Sequence, residues 1–187
     1  MASPALGAFA RDFAGSAAAT AWLLARGRLR LPGDHVGSDL LFADGTRSRV
    51  YRETVVAPAV TRRPALLVVR FRLRLVGTNP TLHALFRAES IANTPLFAGF
   101  PGFRSKLWCT DLDTGVYRGV YGWDGADLAT DYATTLSALL RVVSEAGSVD
   151  FHAVADVHRD AYLRDPALAG DPGPGHAWWR LAQPLAA

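Results

Sequence analysis

The chain has 187 residues, half of them hydrophobic and a fifth charged, which is enough for one globular domain with extra elements and excludes a disordered chain. Net charge is +3 and the pI about 9.4, but nearly all the basic charge is arginine and Lys106 is the only lysine. That arginine–alanine bias reads as a GC-rich genome in preference to a nucleic-acid partner. The single cysteine, Cys109, excludes an internal disulfide and suits a reducing cytoplasm. There is no CxxC, HExxH or Cys/His cluster and no dinucleotide fingerprint, so neither a metal nor a flavin or nicotinamide cofactor is expected.

Leu6, Phe9, Phe13, Ala17, Thr20 and Leu24 recur at helical spacing behind Ser3-Pro4, which predicts a helix over 4–26. Its uncharged stretch is too short to span a bilayer, and its positive charge follows the apolar run instead of preceding it, unlike a signal peptide. The helix is therefore expected to pack on protein in a cytoplasmic molecule, with a membrane-surface helix as the alternative because Trp22, Leu23 and Leu24 adjoin Arg26, Arg28 and Arg30. Pro32-Gly33-Asp34 breaks the chain. Asp44-Gly45 between two extended runs predicts a hairpin with a type I′ turn, and a linker between Pro58 and Pro64 closes this extension, residues 1–64.

The next segment predicts strand, helix, strand, strand, helix, strand. Leu67, Val69, Phe71, Leu73 and Leu75 alternate with Arg70, Arg72 and Arg74 on the first strand. Thr81 to Asn93 is the first helix. Strands over 103–110 and 116–123 flank the turn Asp111–Gly115. A helix over 125–145 has Asp124 as its cap and Gly147 as its stop. Residues 148–157 form the last strand. Right-handed crossovers turn this order into an α+β, ferredoxin-like βαββαβ unit over 65–160, a four-stranded antiparallel sheet with both helices on one face. The opposite face is then bare, and a second copy is its economical cover, so a homodimer is expected. In the tail, 161–187, Trp178-Trp179 should dock on the body or on the partner subunit, with a lid over the pocket as the alternative.

Two stretches carry a family resemblance: Phe97-Ala98-Gly99-Phe100-Pro101-Gly102-Phe103, and Tyr117-Arg118-Gly119-Val120-Tyr121-Gly122-Trp123-Asp124-Gly125-Ala126. Both resemble proteins of the antibiotic-biosynthesis-monooxygenase and YdhR type, in the dimeric α/β-barrel superfamily. The resemblance covers about half the chain. It implies a dimeric barrel and oxygenation of an electron-rich aromatic or polyketide-like compound without metal or flavin. The superfamily also includes isomerases, dehydratases, haem-handling proteins and members without known activity, so a non-catalytic ligand-binding or accessory protein is the second reading. The extension over 1–64 departs from the pattern.

A ligand in the barrel would meet the bare face. There the sequence offers Arg70 and Arg72 on the first strand, Arg104, Lys106 and Trp108 on the second if Leu107 and Cys109 pack under the helices, Arg118 on the third, and His152 with Asp150 on the fourth. His152 is the candidate general base and Trp108 would hold a ring by stacking. Arg70, Arg72, Lys106 and Arg118 would stabilise an anion, Tyr121 would line the pocket, and Asn93 would orient a carbonyl. The competing reading pairs the arginines with acidic residues of the partner sheet or leaves them at strand ends in water, and leaves the aromatics as core. Arg118-Gly119-Val120-Tyr121 is out of phase with an RNA-recognition motif, which argues against nucleic-acid binding.

Overall fold

The computed structural model describes residues 4–57, 60–74, 97–173 and 175–185, with side chains from Ala14 onward. The helix expected over 81–93, with Asn93, lies outside the described residues, as does the turn before it. The elements are α1 (Pro4–Ala25), β1 (Leu29–Arg30), β2 (Asp39–Leu41), β3 (Arg47–Val56), β4 (Pro64–Arg72), β5 (Phe103–Asp111), β6 (Val116–Asp124), α2 (Ala126–Val143), β7 (Asp150–Ala155) and α3 (Arg159–Arg164), with short 3-10 turns at Pro166–Ala169 and Ala177–Trp179.

One antiparallel sheet runs β7-β4-β6-β5-β3, with β1 and β2 both on the outer edge of β3. The four strands of the βαββαβ unit thus stand in the order fourth, first, third, second, which is the ferredoxin-like arrangement, and the protein is α+β. The extension is continuous with this sheet, because β3 pairs with β5 from Arg49↔Thr110 to Val55↔Ser105. The Asp44-Gly45 turn is present, but only Gly45 takes positive φ. It is held by the Asp44 carboxylate accepting from the Thr46 amide at 3.0 Å, not by a type I′ backbone.

Period-two alternation sends Leu67 and Val69 to one face and Leu66 and Val68 to the other. Both faces are buried, and each has its own core. The first, under α2, joins Leu67, Val69, Trp108, Tyr121 and Trp123 to Tyr132 and Ala133. The second joins Leu66, Val68, Leu107, Cys109 and Val120 to Tyr162, Leu163, Trp178, Trp179 and Leu181.

This second core overturns the expectation of a bare face. The chain's own C-terminal segment fills the place assigned to a second copy, and that removes the premise for a dimer through this surface. Backbone bonds fasten the segment to the hairpin: Ala43 N donates to Arg180 O at 2.8 Å and Ala182 N to Leu41 O at 2.9 Å. The buried Tyr162 hydroxyl donates to Trp179 O at 2.8 Å and accepts from Leu181 N at 2.7 Å. Trp178-Trp179 therefore docks on the body, one of the two places the sequence offered.

Asp124 does not cap α2. Its carboxylate accepts from the Arg62 and Arg63 amides and from Arg104 Nη2, so it fixes the loop entering β4. The cap position is Gly125, at φ 117°, where any Cβ would run into Asp127 and Arg63.

α1 also differs from its expected stripe. Among its described side chains, Ser16 and Thr20 are buried and Leu23 packs on the helix-side core, while Ala17, Trp22 and Leu24 are exposed.

Candidate active site

The two faces of the sheet separate the residues that the sequence had gathered. β5 registers against β6 with Leu107↔Val120 and Cys109↔Arg118, and with Lys106↔Tyr121 and Trp108↔Gly119. Leu107 and Cys109 belong to the tail-side core, and Trp108 to the helix side. The assumption that Leu107 and Cys109 pack under the helices is therefore reversed. Lys106 and Trp108 share a face with Tyr121, and His152, Arg70 and Arg118 share the other. No common site forms from His152, Trp108 and the arginines.

On the tail side the arginines have partners. Arg70 Nη2 donates to Asp150 at 2.8 Å and its guanidinium lies 4.6 Å from the Trp178 ring centroid. Arg72 pairs with Glu145 at 3.3 Å. Arg118 is buried, donating to Ser48 Oγ at 2.9 Å and Thr46 Oγ1 at 2.6 Å, with Asp44 at 3.4 Å. These arginines thus pair with acids of their own chain, not with those of a partner sheet as the competing reading had it. His152 faces this side as expected, but it stacks on Trp179 with centroids 4.2 Å apart and planes at 16°. Burial, reinforced by His176, lowers its pKa below the usual histidine value. It occupies a packing position.

On the helix side, Lys106 is buried in a nest of rings. Its Nζ stands 3.2 Å from the Trp108 centroid, 4.6 Å from Phe97 and 4.7 Å from Tyr121. No carboxylate meets it among the described residues, and burial, followed by repulsion from Arg52, holds the amine well below the ordinary lysine value. Trp108 Nε1 donates to Thr54 Oγ1 at 3.1 Å. Burial raises the phenols of Tyr121 and Tyr132, and Tyr121 also gains from its contact with Tyr132. Cys109, on the opposite face, is pushed up to about 12 by burial, as befits an inert core thiol.

The arrangement with the shape of a reactive centre lies elsewhere, and the sequence reading missed it. A cavity of about 490 Å³ opens where the β1–β2 loop, the end of β3, the start of β5 and the head of α3 converge; its walls include Arg30, His35, Glu53, Ser105, His158 and Arg159. Glu53 is 2% exposed because its position in β3 aligns it with Leu107 of the tail-side core. A carboxylate so placed needs donors, and two distant segments provide them. Arg159 Nη2 donates to Oε1 at 2.6 Å, and the His35 ring, through Nδ1, meets Oε2 at 2.8 Å. Arg159 also engages the exposed Asp160 at 2.7 Å.

Two features give this triad chemical potential. A buried carboxylate on Nδ1 fixes the orientation of the imidazole, leaving Nε2 for a substrate. The buried Arg159 sets a guanidinium charge in the cavity wall, which favours an anion in the cavity beside it. Gly122 keeps the wall open, since a Cβ there would strike Ser105 Oγ. One signal in the sequence pointed to this place: Glu53 is the sole acid in the ten residues of β3, on a strand otherwise committed to pairing. No group of three or more potential metal ligands occurs among the described residues.

No protein-family profile and no curated protein matches the sequence. Among solved structures, the chain is similar to an uncharacterised ferredoxin-fold protein related to antibiotic biosynthesis monooxygenases from Listeria monocytogenes, at 17% identity over 60% of this chain and 66% of that one, with a TM-score of 0.40. It is similar to a monooxygenase-like protein from Listeria innocua at 16% identity over 60% and 65%, TM-score 0.37. It is also similar to a heme-degrading enzyme from Listeria monocytogenes at 12% identity over 67% and 95%, TM-score 0.41. The chain spans less than two thirds of the length of the first two. The fold assignment rests on the strand order described above.

Proposed function

We propose that this protein is a small-molecule enzyme that removes a proton from a phenolic or enolic compound bound in the cavity beside His35, the opening step of a cofactor-independent, monooxygenase-like reaction. The observation that carries this reading is the His35–Glu53–Arg159 triad on a cavity wall. His35 Nε2 takes the proton, and the imidazolium formed is stabilised by the Glu53 carboxylate. The substrate oxygen, now an anion, is stabilised by the charge of the Arg159 guanidinium in the wall, an electrostatic role that a recessed site strengthens. The charges stay balanced: Glu53 faces the new imidazolium and Arg159 the new oxyanion. Dioxygen then oxidises the anion, one oxygen atom staying on carbon and the other leaving as water. His152 and Trp108 take no part in this scheme.

The test is oxygen consumption with a panel of hydroquinones and anthrones. Turnover by the parent chain is expected to fall about 10²-fold or more in His35→Ala, the usual contribution of a positioned general base, and to be unaffected in His152→Ala. Equal turnover in the parent and His35→Ala would overturn the reading. Calorimetric binding without turnover for any compound would support the second reading, a ligand-binding or accessory protein using the same cavity.

A further inference from the structure

The cavity beside His35 has a second polar station, and an irregularity in the sheet puts it there. β5 slips register against β6 between Phe103 and Ser105, a bulge at Arg104. A bulge re-aims the side chains beside it, and here both Arg104 and Ser105 lie in the cavity wall. Their roles differ. The Arg104 guanidinium is braced, donating to Asp124 at 2.9 Å and to Phe103 O at 3.3 Å. The half-buried Ser105 hydroxyl makes no hydrogen bond among the described residues and is open to the cavity. A hydroxyl both donates and accepts, so it can meet either a ligand hydroxyl or its anion.

The ground between this hydroxyl and the triad is bare. Ser105 pairs with Gly122 of β6, where a Cβ would stand 2.8 Å from Ser105 Oγ and 3.4 Å from Arg159 Cβ. The missing side chain leaves a strip between the Arg159 stem and Ser105 that a flat ring can enter. On its other side Ser105 pairs with Val55, two residues along β3 from Glu53. Two residues along a strand and one strand across set the Glu53 and Ser105 backbones about 8 Å apart. Both face the same side of the sheet. One holds His35 and Arg159, the other presents its hydroxyl, and Val55 is an apolar wall between them.

A separation of this size discriminates among ligands. Two oxygens on neighbouring ring carbons are too close together to reach both stations, and a single oxygen reaches only one. Oxygens on opposite carbons of a ring reach both. We propose that the cavity selects para-dioxygenated rings of the hydroquinone class, with one oxygen at the His35–Glu53–Arg159 corner and the other on the Ser105 hydroxyl. Ser105 is the residue that sets specificity, and Gly122 is the gap that admits the ring. This selectivity rests on the cavity being the substrate site proposed above, and it is a matter of affinity, not of turnover.

Anaerobic calorimetry with two probes that differ by one hydroxyl, 1,4-dihydroxynaphthalene and 1-naphthol, separates recognition from oxidation. The parent chain is expected to bind the diol about tenfold more tightly, the worth of one additional hydrogen bond. Ser105→Ala should erase that preference and leave the affinity for 1-naphthol unchanged, because only the diol reaches Ser105. Ser105→Thr, which keeps the hydroxyl, should retain the preference. A residue that merely fits opposite Gly122 would instead lower both affinities together when replaced. That result would overturn the proposal, as would equal affinity of the parent for the two probes, a preference that survives in Ser105→Ala, or no binding of either probe. If the preference behaves as expected while His35→Ala consumes oxygen as fast as the parent, the triad's chemistry fails and the selectivity stands.

Discussion

The two faces of this sheet meet the same difficulty in different ways. Strand alternation forces a cation into the interior on each side. Under α2 it is Lys106, enclosed by Phe97, Trp108 and Tyr121. Under the C-terminal segment it is Arg118 of β6, matched to Asp44 and to the Ser48 and Thr46 hydroxyls, and Arg159 of α3 joins it there, matched to Glu53 and Asp160. A regular helix presents a continuous apolar stripe and closes its face with rings. An irregular segment closes its face with backbone bonds, a phenol and ion pairs, and where it turns into α3 it leaves a cavity. The lesson is that the less regular cover is the one that carries polar groups, because its ionic side chains need one another and leave a cavity between them.

The contrast can be broken most severely at Glu53. Replacing it by alanine leaves Arg159 buried without its main counter-charge, and a loss of about 3–5 kcal/mol in unfolding free energy is expected. Chemical denaturation would check this, and a loss under 1 kcal/mol would mean that water already satisfies Arg159. A smaller break is Tyr162→Phe, which removes the hydroxyl shared by Trp179 O and Leu181 N. The expected cost is about 1–3 kcal/mol, with faster proteolysis confined to the residues after Arg164. Proteolysis spread evenly over the chain would show that the segment is not a separable cover.

Lys106 sharpens the comparison through pH. Its folded-state pKa is depressed below the unfolded value of about 10.4, so between the two the unfolded chain binds more protons and stability rises with pH. The stabilisation is complete above about pH 10.4 and is lost as pH falls through the folded-state value. Lys106→Met should abolish this slope and be no less stable than the parent at neutral pH. A slope that persists in the variant would assign it to another group.

Much of the architecture was legible because strand alternation and helical spacing are local signals. Leu67, Val69 and Phe71 against Arg70 and Arg72 gave β4 and its faces, and the strand–helix order gave the sheet. The assignment of faces failed on β5, where Ser105, Leu107 and Cys109 alternate with Arg104, Lys106 and Trp108. With both faces covered, neither set is the solvent set, and a lysine beside a tryptophan reads as exposed when it is caged. The cover by Trp178 and Trp179 was half-read, since two adjacent tryptophans demand burial but do not say against which chain. The cavity was illegible for a different reason. His35, Glu53 and Arg159 come from a loop, a strand and a short helix far apart in sequence, and no spacing rule connects them. Only the oddity of one acid within β3 hinted at a buried partner.

The nest around Lys106 has a practical corollary. This is the only lysine in a chain of 19 arginines, the remainder of its 20 basic residues, and it is 7% exposed. Apart from the α-amino group, the folded protein therefore offers amine-directed reagents no accessible target. Acylating labels and lysine-bridging cross-linkers will mark molecules in which the space between sheet and α2 has opened, so the extent of labelling reads out local opening of that core without any engineered probe.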